Sequence, residues 1–163
     1  MTHAASIRRS VPTPAAMAQL GARLATVLRA GDLVLLSGPL GAGKTTLVRG
    51  LGAAMGVRGA VTSPTFVIAR VHPSLTGGPD LVHADAYRLH GVAELDDLDL
   101  DADLDSSVTV VEWGLGVAEA LANSRLEVRI TCADASEDRH VELTPYGDAW
   151  TDRLAFLAAL ARP

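Results

Sequence analysis

The chain of 163 residues has one lysine, one cysteine, one asparagine and few aromatic side chains (4%). Each scarcity excludes something. With Cys132 alone, no intrachain disulfide can form, and a reducing compartment suits such a chain. With so few aromatics, the 48% of hydrophobic residues must build the core from Leu, Val and Ala. No run approaches the roughly 18 uncharged apolar residues of a bilayer-crossing helix. Arg8-Arg9 is followed by "SVPTPAAMAQLGARLA", whose prolines, Gln and Arg interrupt the apolar stretch an export signal needs. Positive charge is in deficit as well. Fourteen Lys and Arg against 19 Asp and Glu give a net charge of −5, which argues against capture of nucleic acid by the whole surface. A soluble, cytoplasmic protein is expected.

The length fits one domain over 1–163, with residues 1–11 as a flexible lead-in. Thr13-Pro14 reads as an N-cap and first helical residue. Met17, Leu20, Leu24, Val27 and Leu28 then recur at helical spacing until Gly31. "DLVLLSG" (32–38) reads as a buried strand and "GKTTLVRGLGAAMG" (43–56) as a helix that Gly50 and Gly52 weaken. Strands are expected in "SPTFVIARVH" (63–72), "LVHADAY" (81–87) and "SVTVVEWG" (107–114), and short helical turns in the acidic stretch 92–105. "LGVAEALAN" (115–123) reads as a short helix. "RLEVRITCA" (125–133) and "RHVELTPYG" (139–147) alternate around a polar turn, as an antiparallel pair does. A helix over 149–161 closes the chain. Strands alternating with helices give an α/β class with one sheet.

The lone lysine sits in "GPLGAGKTT" (38–46), where Gly38, four residues, then Gly43-Lys44-Thr45 spell G-x-x-x-x-G-K-[ST]. The chemistry asks for each part. Glycines let the backbone curl so that several N–H groups face phosphate oxygens. A helix starting near Lys44 adds its positive end. The ammonium is a compact cation on a flexible stem, whereas a guanidinium is a broad planar fork, so the arginines used elsewhere cannot replace it. The Thr45 hydroxyl can complete part of an octahedral Mg²⁺ shell at ~2.1 Å. A strand before the motif and a helix after it supply the context that the pattern needs.

A phosphate site of this kind calls for an acid at the end of another buried strand. Glu112, directly after Val108, Val110 and Val111, is the candidate. Trp113 either caps the pocket or packs. Asp85, with His83, Tyr87 and Arg88 nearby, either serves Mg²⁺ through water, orients an attacking water, or is a plain turn residue. Thr62, Ser63 and Thr65 around Pro64 form either a phosphate-sensing loop or a capped turn. The acidic run 94–105 fails as a calcium loop. Counted from Asp99, the required Gly and Glu positions hold Leu104 and Val110. A solvated face or a partner-docking surface is left.

"GPLGAGKTT", "SPTF", "HADAYRL" and "VEWG", in this order and at these separations, resemble the TsaE (YjeE) family, bacterial ATPases that support threonylcarbamoyladenosine modification of tRNA. The resemblance covers nearly the whole chain, from "LGARLA" to the closing hairpin and helix. It implies a P-loop NTPase-like α/β fold, with a mixed, mainly parallel central sheet flanked by helices. It implies weak ATP hydrolysis with Mg²⁺, coupled to the partner proteins TsaB and TsaD, the second of which carries the tRNA chemistry at adenosine 37. By position, Lys44 matches the phosphate-binding lysine, and Thr45 and Glu112 match the Mg²⁺ ligands. Gly38, Gly41, Ala42, Gly43 and Thr46 match the rest of the nucleotide loop, and Asp85 matches the acid of the "DxYR" motif. Thr13 lies where the family approaches adenine, though no aromatic is there to stack.

Three rivals remain to be weighed. A guanine-specific switch uses an Asn-Lys-x-Asp element, which cannot exist with Lys44 and Asn123 as the only residues of their kinds. A small-molecule kinase usually needs an arginine-rich lid, and Arg49, Arg58, Arg70 and Arg88 are scattered. A non-catalytic, nucleotide-gated adaptor differs from the ATPase only in turnover.

Overall fold

A strand whose consecutive residues are all apolar must be covered on both faces. β2 (Leu33–Ser37) is such a strand through Leu36, and it lies at the centre of a seven-stranded sheet. The computed structural model describes residues 3–62, 69–87, 92–96, 99–133 and 135–163, with backbone alone at 92 and 95. The other strands are β1 (Ile7–Val11), β3 (Ala69–His72), β4 (Asp80–Asp85), β5 (Ser107–Glu112), β6 (Arg125–Cys132) and β7 (Arg139–Tyr146), in the spatial order β1-β7-β6-β2-β5-β4-β3. β6, β2, β5 and β4 are paired parallel, while β7 runs against β6 and β1, and β3 against β4. The sheet is therefore mixed and mostly parallel, with helices at its flanks, as the α/β reading required.

Alternation along β2 splits the core in two. Val34 and Leu36 join Leu20, Leu24, Leu47, Leu51 and Val110 on the face covered by α1 (Pro14–Ala25) and α2 (Lys44–Met55). Leu33 and Leu35 join Val82, Ala84 and Val111 on the other face. The acidic stretch covers part of that second face. In the 3₁₀ segment Leu100–Ser106, Leu100 and Leu104 are buried while Asp101, Asp103 and Asp105 point to solvent.

Several expectations are corrected. Residues 7–11, read as lead-in, form β1, whose five residues pair with β7. α1 stops at Ala25 rather than near Gly31, with the Thr26 hydroxyl donating to the Arg23 carbonyl at 2.6 Å, although Val27 and Leu28 still reach the core. Only Glu119–Leu121 of the stretch 115–123 is helical, and as a 3₁₀ turn. The closing helix is split into a 3₁₀ segment, Asp148–Arg153, and α4 (Leu154–Ala159). The Ala149 carbonyl, which an α-helix would give to the Arg153 backbone N–H, instead accepts from the Arg153 guanidinium at 2.8 and 3.1 Å. That guanidinium also donates to buried Asp32, tying the C-terminal segment to the start of β2. α3 (Val92–Asp96) is a single short turn.

α1 and α2 cross at backbone contact. A Cβ on Gly21 would lie 2.0 Å from the Leu47 carbonyl oxygen, and one on Gly50 would lie 2.0 Å from that of Ala18. Gly50, which weakens the helix by propensity, is thus what lets α2 approach α1. Gly50→Ala tests this. Helix propensity gains about 1 kcal/mol, but forcing a methyl onto a carbonyl costs about 3 kcal/mol. A net loss near 2 kcal/mol is expected in denaturant unfolding, and a more stable variant would show that the crossing tolerates side chains.

Candidate functional site

The parallel register brings the candidate residues to one edge. Leu36 of β2 pairs with Glu112 of β5, and Glu112 pairs with Asp85 of β4. All three strands end there, and the chain leaves β2 into the glycine-rich loop. Gly41 and Gly43 adopt φ of +77° and +104°, conformations that β-carbon-bearing residues rarely take. Gly43 is the N-cap of α2 and offers no side-chain cap, so the N–H groups of the first turn are left open for an anion. Gly38 is fixed for a different reason, since a Cβ there would meet the Ile130 carbonyl at 2.8 Å.

One cavity of about 380 Å³ is lined by Leu40, Gly41, Gly43, Lys44, Thr45, Thr46, Asp85, Tyr87, Glu112 and Trp113. It brings together Lys44, Thr45, Asp85 and Glu112, residues 27 to 68 positions apart in the chain where they come from different elements. Lys44 is 6% exposed, and its ammonium donates to the carbonyls of Gly38 at 2.7 Å and Pro39 at 2.9 Å. Burial holds its pKa below the ordinary lysine value, while the charges of Glu112, Asp85 and Cys132 pull the other way. The Trp113 ring lies 4.4 Å from Lys44 Nζ and 5.1 Å from the Tyr87 ring. Trp113 achieves this with φ of +60°, a strained conformation worth about 1–2 kcal/mol, held by its N–H donating to the Leu36 carbonyl at 2.9 Å. Trp113 is therefore a wall of the cavity.

Asp85 is half-buried at the end of β4, and its Oδ1 accepts from the Tyr87 N–H at 2.9 Å, which closes the turn. Glu112 is 3% exposed, and its Oε2 lies 2.7 Å from His83 Nε2. Thr62 is exposed. Ser63, Pro64, Thr65 and Arg88 lie outside the described residues.

A second cavity of about 220 Å³ shares Gly41, Gly43 and Thr46 with the first. Thr13, Pro14, Met17, Ala42, Glu137 and Arg139 complete its lining. Thr13 caps α1, its hydroxyl accepting from the Ala16 N–H at 3.1 Å. Among the residues matched to the nucleotide loop, together with Thr13, Asp85 and Glu112, Gly38 alone lines neither cavity, and its contribution is the carbonyl it gives Lys44. Sequence reasoning missed Leu40, Glu137 and Arg139. The last two stand at the turn between β6 and β7, and no local pattern announces that this turn reaches the glycine loop.

The donor set is hard oxygen: two carboxylates and the Thr45 hydroxyl beside one cation. That chemistry fits Mg²⁺, which is usually held by one or two side chains together with phosphates. Among the described residues, no three His, Cys, Asp or Glu side chains gather into a metal cage.

Comparison with known proteins gives the family. The family model described as "Threonylcarbamoyl adenosine biosynthesis protein TsaE" matches residues 11–141. A protein of Streptomyces coelicolor named tRNA threonylcarbamoyladenosine biosynthesis protein TsaE is 64% identical over 138 residues, covering 82% of this chain and 93% of its own. Proteins of the same name from Mycobacterium tuberculosis and Bacillus subtilis are 54% and 35% identical, covering 74% and 83% of this chain and 76% and 81% of their own. The crystal structure of Bacillus subtilis YdiB superposes with a TM-score of 0.75 at 24% identity, over 99% of this chain and 97% of that one, a likeness of fold. A family match running from the last residue of β1 into β7 takes in the glycine loop, both carboxylates and the strands that aim them, so the chain belongs to the TsaE family of tRNA threonylcarbamoyladenosine biosynthesis proteins.

Proposed function

We propose that this protein binds Mg·ATP, hydrolyses it weakly, and through that turnover supports N6-threonylcarbamoyl modification of adenosine 37 in tRNA, acting in the cytoplasm with TsaB and TsaD. Among the described residues, no helix is long and apolar enough to cross a membrane. The observation that carries the nucleotide reading is the convergence of Lys44, Thr45, Asp85 and Glu112 on one cavity at the N-terminus of α2. Family membership supports the pathway.

In this reading the first-turn N–H groups of α2 and the curled glycine loop bind the phosphate oxygens. Lys44 exchanges its two loop carbonyls for phosphate oxygen, which restores the charge partner that burial has denied it. Thr45 and Glu112 hold Mg²⁺, and Asp85 orients water or serves the metal through water. Bound there, the ion would neutralise charge on the β- and γ-phosphates. Trp113 and Tyr87 restrict solvent on the open side. The second cavity, which shares Gly41, Gly43 and Thr46 with the first, receives the nucleoside against Thr13.

Lys44→Ala should lower Mg·ATP affinity about 100-fold, the loss of roughly 3 kcal/mol expected for a charge-assisted contact. Its melting temperature should move by no more than about 5 °C, because the ammonium adds little to the apolar core. Calorimetric titration checks the first, and wild-type protein that takes up no Mg·ATP would end the reading. Glu112→Gln keeps an oxygen for His83 but removes the charge. It should cut phosphate release about 100-fold while nucleotide affinity stays within about threefold. Equal loss of both would make Glu112 structural. Reconstitution with TsaB, TsaD and tRNA, scoring modified adenosine and released phosphate, tests the coupling. Modification that needs ATP but releases no phosphate would mark a nucleotide-gated adaptor instead.

A further inference from the structure

His83 is fully enclosed on β4, on the same face as Asp85 and two residues before it. Because Asp85 pairs with Glu112 in the parallel register, His83 lies diagonally behind Glu112 and reaches it with Nε2, 2.7 Å from Oε2. Its other ring nitrogen, Nδ1, is buried without a hydrogen-bond partner among the described residues. A leucine would fill such a place without that penalty, which is about 1–3 kcal/mol for an unpaired buried polar atom. Packing therefore gives no reason for an imidazole here, whereas the bond to Glu112 does.

A carboxylate at a strand end can turn about its own side-chain torsions. With Oε2 held from behind by an N–H donor, that freedom is lost and Oε1 is left to the cavity that Glu112 lines. We propose that His83 is a positioning residue, fixing the Glu112 carboxylate so that its free oxygen faces the Mg²⁺ position. The proposal rests on the Mg·ATP reading above. It requires a donor at the place of Nε2 and no change of charge, and it follows the general pattern in which metal-ligating carboxylates are themselves hydrogen-bonded from behind.

Two amide substitutions separate the atoms. Gln places its NH₂ near the position of Nε2, and Asn places it near that of Nδ1. Purified protein is titrated with Mg²⁺ at fixed non-hydrolysable ATP analogue, and the half-saturating Mg²⁺ concentration is read by calorimetry. His83→Gln should stay within about threefold of wild type. His83→Asn should raise the half-saturating Mg²⁺ about tenfold or more, with analogue binding in EDTA within about twofold. Equal shifts in the two variants, or unchanged Mg²⁺ dependence with lowered melting temperature, would overturn the proposal and leave His83 a packing residue. A second measurement needs no variant and so survives a failure of either to fold. The imidazole ¹⁵N spectrum of the wild-type protein should show a proton on His83 Nε2, with that signal moving when Mg²⁺ joins the nucleotide complex. An Nε2 without a proton would also overturn it. If the wild type shows no Mg²⁺-dependent uptake at all, the Mg·ATP reading falls first, and the two failures are told apart.

Discussion

The pairing register of β2, β5 and β4 is the constraint on which the site depends. Leu36 opposite Glu112, and Glu112 opposite Asp85, place the glycine loop and two carboxylates at one edge. Successive residues of a strand face opposite ways, so a slip of one residue would send Glu112 and His83 to the other face together. The apolar residues forbid that slip. Val34 and Leu36 are claimed by α1 and α2, and Leu33 and Leu35 by the opposite layer, each with no exposed surface. The cores on the two faces thus set the geometry of groups that contribute nothing to either core.

Electrostatically the cavity is unbalanced in a useful way. One enclosed ammonium stands among two carboxylates and two loop carbonyls, and burial disfavours its charge. Two of its three N–H donors are taken by the loop itself, at Gly38 and Pro39. An incoming polyanion would compete with neutral carbonyls for the cation, and it would bring the full opposite charge that they lack. The carboxylates would repel that polyanion if it came without a cation of its own. This is the physical reason to expect nucleotide and Mg²⁺ to enter together.

Much of the site was legible in the sequence because it depends on backbone needs that few residues meet. The glycines, the lone lysine and the acid after "VTVV" announce themselves through conformation, size and strand ending. What was not legible came from tertiary placement. β1 was missed because Arg8, Arg9 and Ser10 separate Ile7 from Val11. Its pairing is made with β7, more than 120 residues later. Gly50 reads as a flaw in a helix until α1 is set against it. His83 is an unremarkable residue by pattern, and only the register shows that it stands behind Glu112. Arg139 and Glu137 enter the second cavity from a hairpin turn whose own sequence is merely polar.

The helix crossing links these cavities to the fold. α1 contributes Thr13 and Met17 to the second cavity, and the Met17 side chain lies 3.4 Å from where a Cβ on Gly43 would be. α2 begins at that glycine and presents Lys44 and Thr45 to the first cavity. With Gly21 and Gly50 in backbone contact, neither helix can shift along the other without a carbonyl meeting a neighbouring chain. The wall of the second cavity and the floor of the first are therefore joined by direct backbone packing. The floor offers the Lys44 ammonium, while the α1 wall offers a hydroxyl, a proline and a thioether, with Glu137 and Arg139 completing the lining of the second cavity. A phosphate-bearing ligand of the kind proposed, spanning both, would be gripped by its anionic end at Lys44 and the α2 N-terminus, and its phosphates would then be the main source of its affinity.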